Sequence, residues 1–353
     1  MIDLNDQGII RKIDASCMID HLIGFPQQCS EAVELGKGFE NPWSNNQLQK
    51  IVIAGMGGSA IGGDILRSYL SDKIDLPIYV NRNYTLPMFV DKDTLLFVVS
   101  YSGNTEETIT SFEHGREKGA RIVIVTSGGI IEDLALREDL PLIRIPKGLP
   151  PRASLGYLFF PLLTVLERLG LIDGQDSDIS ETITLLQELC NSYRIEVDIS
   201  MNKAKDMAIN IYGKLPIIYG VNDYTDAVAF RWKGQFNENS KTFASYNILP
   251  ELDHNEVVGW KTLRHLTKDF LIIFLRCKDD LDRVKMRINI TGSLIAEDVS
   301  DVFEVWSEGN SRLARIFSLI YLGDFISYYL SILNNIDPTP VKVIDRLKKE
   351  LGG

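Results

Sequence analysis

From Gln49 onward the chain repeats one phrase, short apolar runs rich in β-branched residues, most of them separated by helical stretches. The runs QKIVIAG, LPIYVN, TLLFVVSY, ARIVIVTS and LPLIRIP are each bounded by Gly, Pro or Asp. A strand that is apolar at nearly every position is buried on both faces, and strands that alternate with helices form parallel sheets with helices on either side. The pattern predicts an α/β fold. It restarts after GLIDGQDSDIS, a Gly- and Asp-rich stretch near residues 170–180 that reads as a linker. Beyond it come a helix around 181–210, the strand LPIIYG, the helix DAVAFRWKGQFNE and the strands KTFASYNIL, FLIIFLRCK and DVFEVW. A long helix from Ser311 to Leu333 and a terminal helix VIDRLKKEL complete the chain.

Two three-layer α/β/α sandwich domains with mainly parallel sheets are therefore expected, at 1–170 and 180–353. The total of 353 residues suits two domains of roughly 150 residues. Residues 1–38 read as a helical lead-in packed outside the first sheet. The halves look like weak repeats, since IVIAGMGGSAIGGD and IIYGVNDYTDAVAF both place strand, turn and helix in the same order. Only the first keeps a glycine loop.

That loop, with Gly55, Gly57, Gly58 and Ser59, sits between a strand and a helix. A helix N-terminus presents unpaired N–H groups and partial positive charge to an anion. Three readings stay open for it alone: a phosphate cradle, a dinucleotide fingerprint through Gly55-x-Gly57-x-x-Ala60, and a tight turn without a ligand. The absence of Lys-Ser or Lys-Thr after the glycines excludes a P-loop. A second loop, VVSYSGNTEETI, also joins a strand to a helix and offers three hydroxyls, Ser100, Ser102 and Thr105. One hydroxyl, or Asn104, would be enough for a helix cap. Three hydroxyls at the carboxyl end of a parallel strand point to a phosphate site.

These two loops resemble those of the sugar isomerase (SIS) domain family, which binds phosphosugars through them. The resemblance implies that Gly57, Gly58, Ser59, Ser100, Ser102 and Thr105 hold a phosphate. It yields a ligand class and no reaction, because SIS proteins include isomerases, lyases and sugar-sensing regulators.

The stretch FNENSKTFASYNILPELDHNEVVGW supplies chemistry, with Glu238 and, sixteen residues later, His254. Aldose–ketose isomerisation needs a base that moves a proton between C2 and C1, and groups that open the sugar ring. A carboxylate suits the first task and an imidazole the second. An isolated Glu/His pair is more often structural, a helix end and a turn residue. This stretch, however, closely resembles the bifunctional phosphoglucose/phosphomannose isomerases, a branch with tandem SIS domains in which E-N-S-K and P-E-L-x-H-N-E runs carry the catalytic Glu and His. PPRASLGY places Arg152 at the family's enediolate-stabilising arginine, and Lys348 corresponds to a lysine that assists ring opening. The matching motifs run from Gly55 to Lys348. The resemblance implies a cofactor-free isomerase of sugar phosphates and a homodimer in which His254 completes the partner's site. Some members carry a threonine seven residues before that lysine, implicated in handling both epimers. Here Val341 stands there and Thr339 lies two residues earlier, so either Thr339 substitutes after a shift of one turn or mannose activity is weak.

The charge of −11 argues against a nucleic-acid partner, which would require excess Lys and Arg. The four cysteines, Cys17, Cys29, Cys190 and Cys277, are scattered and form no zinc or disulfide pattern, which suits a reducing compartment. His21, His114 and His265 lack metal-like spacing, so no metal site is expected. MIDLNDQGII carries no signal-peptide pattern, and Asp324 interrupts the apolar stretch LIYLGDFISYYL, so no membrane association is expected and the protein is placed in the cytoplasm. Two rivals remain. A silent phosphosugar sensor would keep the serine loops without Glu238, His254, Arg152 and Lys348. An NADP-dependent dehydrogenase would use the glycine loop with Arg82 and leave the Ser100–Thr105 loop unexplained.

Overall fold

The computed structural model describes residues 1–43 and 47–351. In chain order its helices and strands are α1 (Gln7–Ile13), α2 (Met18–Ile23), α3 (Phe25–Lys37), β1 (Lys50–Ala54), α4 (Gly57–Leu70), β2 (Ile78–Asn81), β3 (Thr94–Ser100), α5 (Glu106–Glu117), β4 (Arg121–Thr126), α6 (Gly129–Arg137), β5 (Leu142–Arg144), α7 (Leu155–Arg168) and α8 (Asp176–Tyr193). Then follow α9 (Lys203–Ile211), β6 (Leu215–Val221), α10 (Asp226–Glu238), β7 (Ser245–Leu249), α11 (Arg264–Thr267), β8 (Phe270–Arg276), α12 (Asp282–Ile295), β9 (Asp301–Trp306), α13 (Arg312–Leu333) and α14 (Lys342–Glu350). Each predicted apolar run contains a strand. KTFASYNIL is shortened at its start, because Lys241 to Ala244 form the turn that leaves α10 and only Ser245–Leu249 pair.

The chain divides into two compact units. One is Gly24–Ile183 and the other joins Met1–Ile23 to Thr184–Gly353. In the first, five parallel strands lie in the order β2-β1-β3-β4-β5. All seven residues of β3 are buried, as its central place requires. Val52, Leu96, Val98 and Ile124 on one side of the sheet pack with Phe112 of α5 and Ile131 and Ala135 of α6. In the second, four parallel strands lie in the order β7-β6-β8-β9. Both orders put the third strand on the far side of the first. The repeat read from the sequence is thus a repeat of topology.

Two expectations about the boundary need correction. Residues 1–23 belong to the second unit and not to the first. Arg11 pairs with Glu196 at 3.6 Å, Asn5 Nδ2 donates to Asp198 at 2.7 Å, and Tyr321 Oη donates to the Leu22 carbonyl at 2.7 Å, all within the second unit. Nor is 170–180 a linker throughout, since α8 starts at Asp176. Its Asp176 and Asp178 are first-turn acids that suit the helix dipole. Ile179, Thr182, Leu186, Leu189, Cys190 and Tyr193 follow at helical spacing and are buried. Composition suggested a linker where the residues form a helix start.

The helix α13 is long and apolar enough to cross a membrane, and it is buried from Leu313 to Leu333. Its Asp324 forms an ion pair with Arg231 of α10 at 2.7 Å, with both side chains at most 5% exposed.

Candidate active site

In an open parallel sheet, ligands bind at the carboxyl ends of the strands where the strand order reverses, which for this order lies between the first and third strands. In the Gly24–Ile183 unit that point lies between β1 and β3. The loops leaving them are those with the glycines and the serines. The two are tied together, because the Tyr101 amide donates to Ser59 Oγ at 3.1 Å. The N-caps of α4 and α5, Met56 and Thr105, supply no side-chain cap. The first-turn amides of Gly57, Gly58, Glu106 and Glu107 have no partner inside their helices.

The hydroxyl protons can be followed individually. Ser59 Oγ accepts from Tyr101, and Ser102 Oγ accepts from the Asn104 amide at 3.3 Å. Thr105 Oγ1 accepts from Ser100 Oγ at 3.2 Å, while Ser100 Oγ itself accepts from the Gly103 amide at 3.1 Å. Ser100 is 1% exposed and spends its proton inside the loop. Ser59, Ser102 and Thr105 keep theirs, since a hydroxyl has one proton and two lone pairs. The loop thus combines three donors with one organiser. Asn104 does not cap α5. Its side chain accepts from the Ile130 amide at 3.0 Å and joins this loop to the start of α6. Gly103 makes that approach possible, as a Cβ there would stand 1.6 Å from the Gly128 carbonyl oxygen.

Arg152 reaches the same end of this unit. It lies in a 3₁₀ turn, Pro151–Ala153, and is 5% exposed. That turn packs on the start of α4 at Gly58, where a Cβ would meet the Pro151 carbonyl oxygen at 2.7 Å. Arg82, the residue of interest for a dinucleotide phosphate, forms an ion pair with Asp64 of α4.

In the other unit Glu238 is half-buried at the last position of α10. It lines a cavity of about 480 Å³ together with Lys241, Asp337, Val341 and the first turn of α14. That volume falls in the range of small-molecule sites. Val341, at the position where a threonine is expected, lines this cavity beside Glu238. Thr339 is half-buried between two prolines, and its amide donates to Asp337 Oδ1 at 3.0 Å. Lys348 is exposed on α14, a helix with no buried residue.

His254 is not in this group. It is exposed and ends a 3₁₀ turn, Glu251–His254, that follows β7. Its three acidic neighbours bond elsewhere. Asp253 accepts from Arg287 at 3.1 Å and Thr291 at 2.7 Å, both on α12. Glu251 accepts from Asn255, and Glu256 accepts from Tyr219 Oη and Asn247 Nδ2. Burial first and Glu256 second push the Tyr219 hydroxyl far above its usual pKa, so it remains a donor. These carboxylates pin the turn. Glu238 precedes β7 and His254 follows it, so a five-residue strand, about 16 Å long at 3.3 Å per residue, separates their positions in one chain.

Residues 200–351 match the bacterial phospho-glucose isomerase C-terminal SIS domain, and residues 46–136 match the SIS domain. Over 334 residues the chain is 46% identical to a bifunctional phosphoglucose/phosphomannose isomerase of Caldicellulosiruptor bescii, covering 95% of this chain and 98% of that one. The chain belongs to this family. A bifunctional phosphoglucose/phosphomannose isomerase of Aquifex aeolicus is 38% identical across 91% of this chain and 98% of its own. A solved glucose-6-phosphate isomerase-like protein from Thermus thermophilus shares the fold, with a TM-score of 0.64 at 19% identity over 96% of this chain and 98% of its own. At the sites of this family member, the sequence reading took Asn104 only as a helix cap and did not single out Lys241. Asn104 bridges two loops of the SIS domain, and Lys241 lines the Glu238 cavity. Lys241 stands in the E-N-S-K run itself, which was a usable signal.

Proposed function

We propose that this protein interconverts glucose 6-phosphate and mannose 6-phosphate with fructose 6-phosphate through a cis-enediol. The observation that carries the reading is that one unit holds a switch-point cradle of three hydroxyl donors and the other a cavity-lining carboxylate, in a chain whose relatives bear these activities in their names. Ser59, Ser102, Thr105 and the amides of Gly57 and Gly58 hold the phosphate, and Ser100 shapes their loop. His254 and Lys348 exchange protons with the ring oxygens and release the open-chain aldose. Glu238 then removes the proton from C2, and the C–H electron pair forms the C1=C2 bond of the enediolate. Arg152 offsets the charge that develops on oxygen. A proton passes from O2 to O1, and Glu238 returns its proton to C1 to give the ketose. Nothing is gained or lost overall. C2 is planar in the enediol, so the glucose and mannose epimers share one intermediate.

A homodimer belongs to this reading. Two observations support it: β7 separates Glu238 from His254 within a chain, and apolar side chains near His254 are open to solvent. Val258 is 73% exposed, Ile290 53% and Leu294 57%. A two-fold partner that brings its own His254 would complete two equivalent sites. The four free thiols, three of them buried, support a cytoplasmic location.

The test is a coupled assay for fructose 6-phosphate formed from each aldose phosphate, with and without EDTA. Product from both substrates, unchanged by EDTA, is expected. No product from either would overturn the assignment, and activity abolished by EDTA would contradict proton transfer by side chains alone.

A further inference from the structure

We infer that Lys241 is a positioning residue for the isomerisation, holding the end of α10 that carries Glu238 against the strap of residues 335–341 that leads to α14. The inference rests on the reading of Glu238 as the base. Lys241 Nζ donates to the Glu238 carbonyl at 2.6 Å and to the Pro338 carbonyl at 2.8 Å, with the carbonyls of Asn239 and Asp337 at 3.4 Å. An exposed lysine is ordinarily solvated and mobile, whereas this one directs its protons to carbonyls on two separate segments. The last carbonyls of a helix have no partner within it, and a cation there is favoured by the helix dipole. Lys241 supplies that cation from three residues beyond Glu238. It does so from a left-handed backbone, φ +53°, which is uncommon for a residue other than glycine. The second anchor, Pro338, belongs to the strap whose Asp337 and Val341 line the cavity with Glu238.

The body of α10 is held independently. Arg231, Gln235 and Asn239 bond Asp324 and Ser327 of α13, and the Asn334 side chain donates to the Ser240 carbonyl at 2.9 Å. Loss of the ammonium therefore leaves α10 seated and removes one tie between the strap and the end of α10 that carries Glu238. The phosphate cradle lies on other residues and is unaffected. The consequence falls on turnover, since a misplacement of about 1 Å near a reacting centre costs on the order of a hundredfold in rate.

The experiment compares the parent, Lys241→Met and Lys241→Cys, the last in a Cys17→Ser background because Cys17 is the exposed cysteine. The Lys241→Cys protein is alkylated with 2-bromoethylamine, which rebuilds an ammonium of nearly lysine length. Lys241→Met should lose about ten- to hundredfold in kcat with KM and melting temperature little changed. Aminoethylation should bring kcat back to within about threefold of the parent. Turnover near that of the parent in Lys241→Met would overturn the inference, as would a folded, aminoethylated protein that stays slow. Glu238→Gln is assayed in parallel. Its retention of activity would remove Glu238 as the base, while the recovery on aminoethylation would still report separately on Lys241.

Discussion

Ser100 and Ser102 stand two residues apart and do different things. Ser100 turns its proton inward to Thr105, whereas Ser102 is exposed and accepts from the Asn104 amide, and the proposed function gives its proton to the phosphate. Ser102→Ala should therefore raise KM for a 6-phosphate substrate by about tenfold to a hundredfold, since a hydrogen bond to a charged group contributes about 1.5–3 kcal/mol. Steady-state kinetics with the phosphorylated sugar, and competition by the unphosphorylated one, check this. An equal loss for both ligands would place Ser102 in loop support. The sequence made these hydroxyls visible because three of them crowd one strand end. It could not divide their roles, which depend on where each proton points. It also suggested Asn104 as a possible helix cap, and the backbone sends that side chain to Ile130 instead.

Helix α10 owes its setting to a polar seam. Arg231, Gln235 and Asn239 recur every four residues and face Asp324 and Ser327 of α13, while Trp232 Nε1 donates to the Leu319 carbonyl at 2.8 Å. Burial raises the Asp324 pKa, and Arg231 beside it pulls in the opposite direction. Asp324→Ala leaves the buried guanidinium without its carboxylate and should destabilise the protein by about 3–5 kcal/mol. The double change Arg231→Met with Asp324→Leu should cost less than Asp324→Ala alone. Urea unfolding measures both, and a larger loss in the double variant would refute the seam. The extents of α10 and α13 were legible from apolar periodicity. The seam was not, because Arg231 and Asp324 lie 93 positions apart and nothing in one sequence pairs them. The same limitation hid the place of residues 1–23, whose partners such as Glu196 and Asp198 are nearly two hundred residues away.

At the scale of the whole molecule, no single chain is expected to supply both Glu238 and His254 to one site. In the proposed homodimer, mixing a Glu238→Gln chain with a His254→Ala chain should give dimers in which one site lacks both groups and the other keeps both. With random exchange about half the dimers are mixed, so about a quarter of all sites should regain activity. No recovery, with exchange confirmed by mass spectrometry of the dimers, would put the two groups in one chain. Everything else depends on proton transfer at C2 and C1 by Glu238, and isomerisation in 2H2O reports on that step. Fructose 6-phosphate formed from unlabelled glucose 6-phosphate should carry deuterium at C1, seen by NMR, in those turnovers in which the proton held by Glu238 exchanges with solvent before its return, and Glu238→Gln should slow both turnover and labelling by about 10²–10⁴. Turnover and labelling both undiminished in Glu238→Gln would contradict proton transfer by this carboxylate.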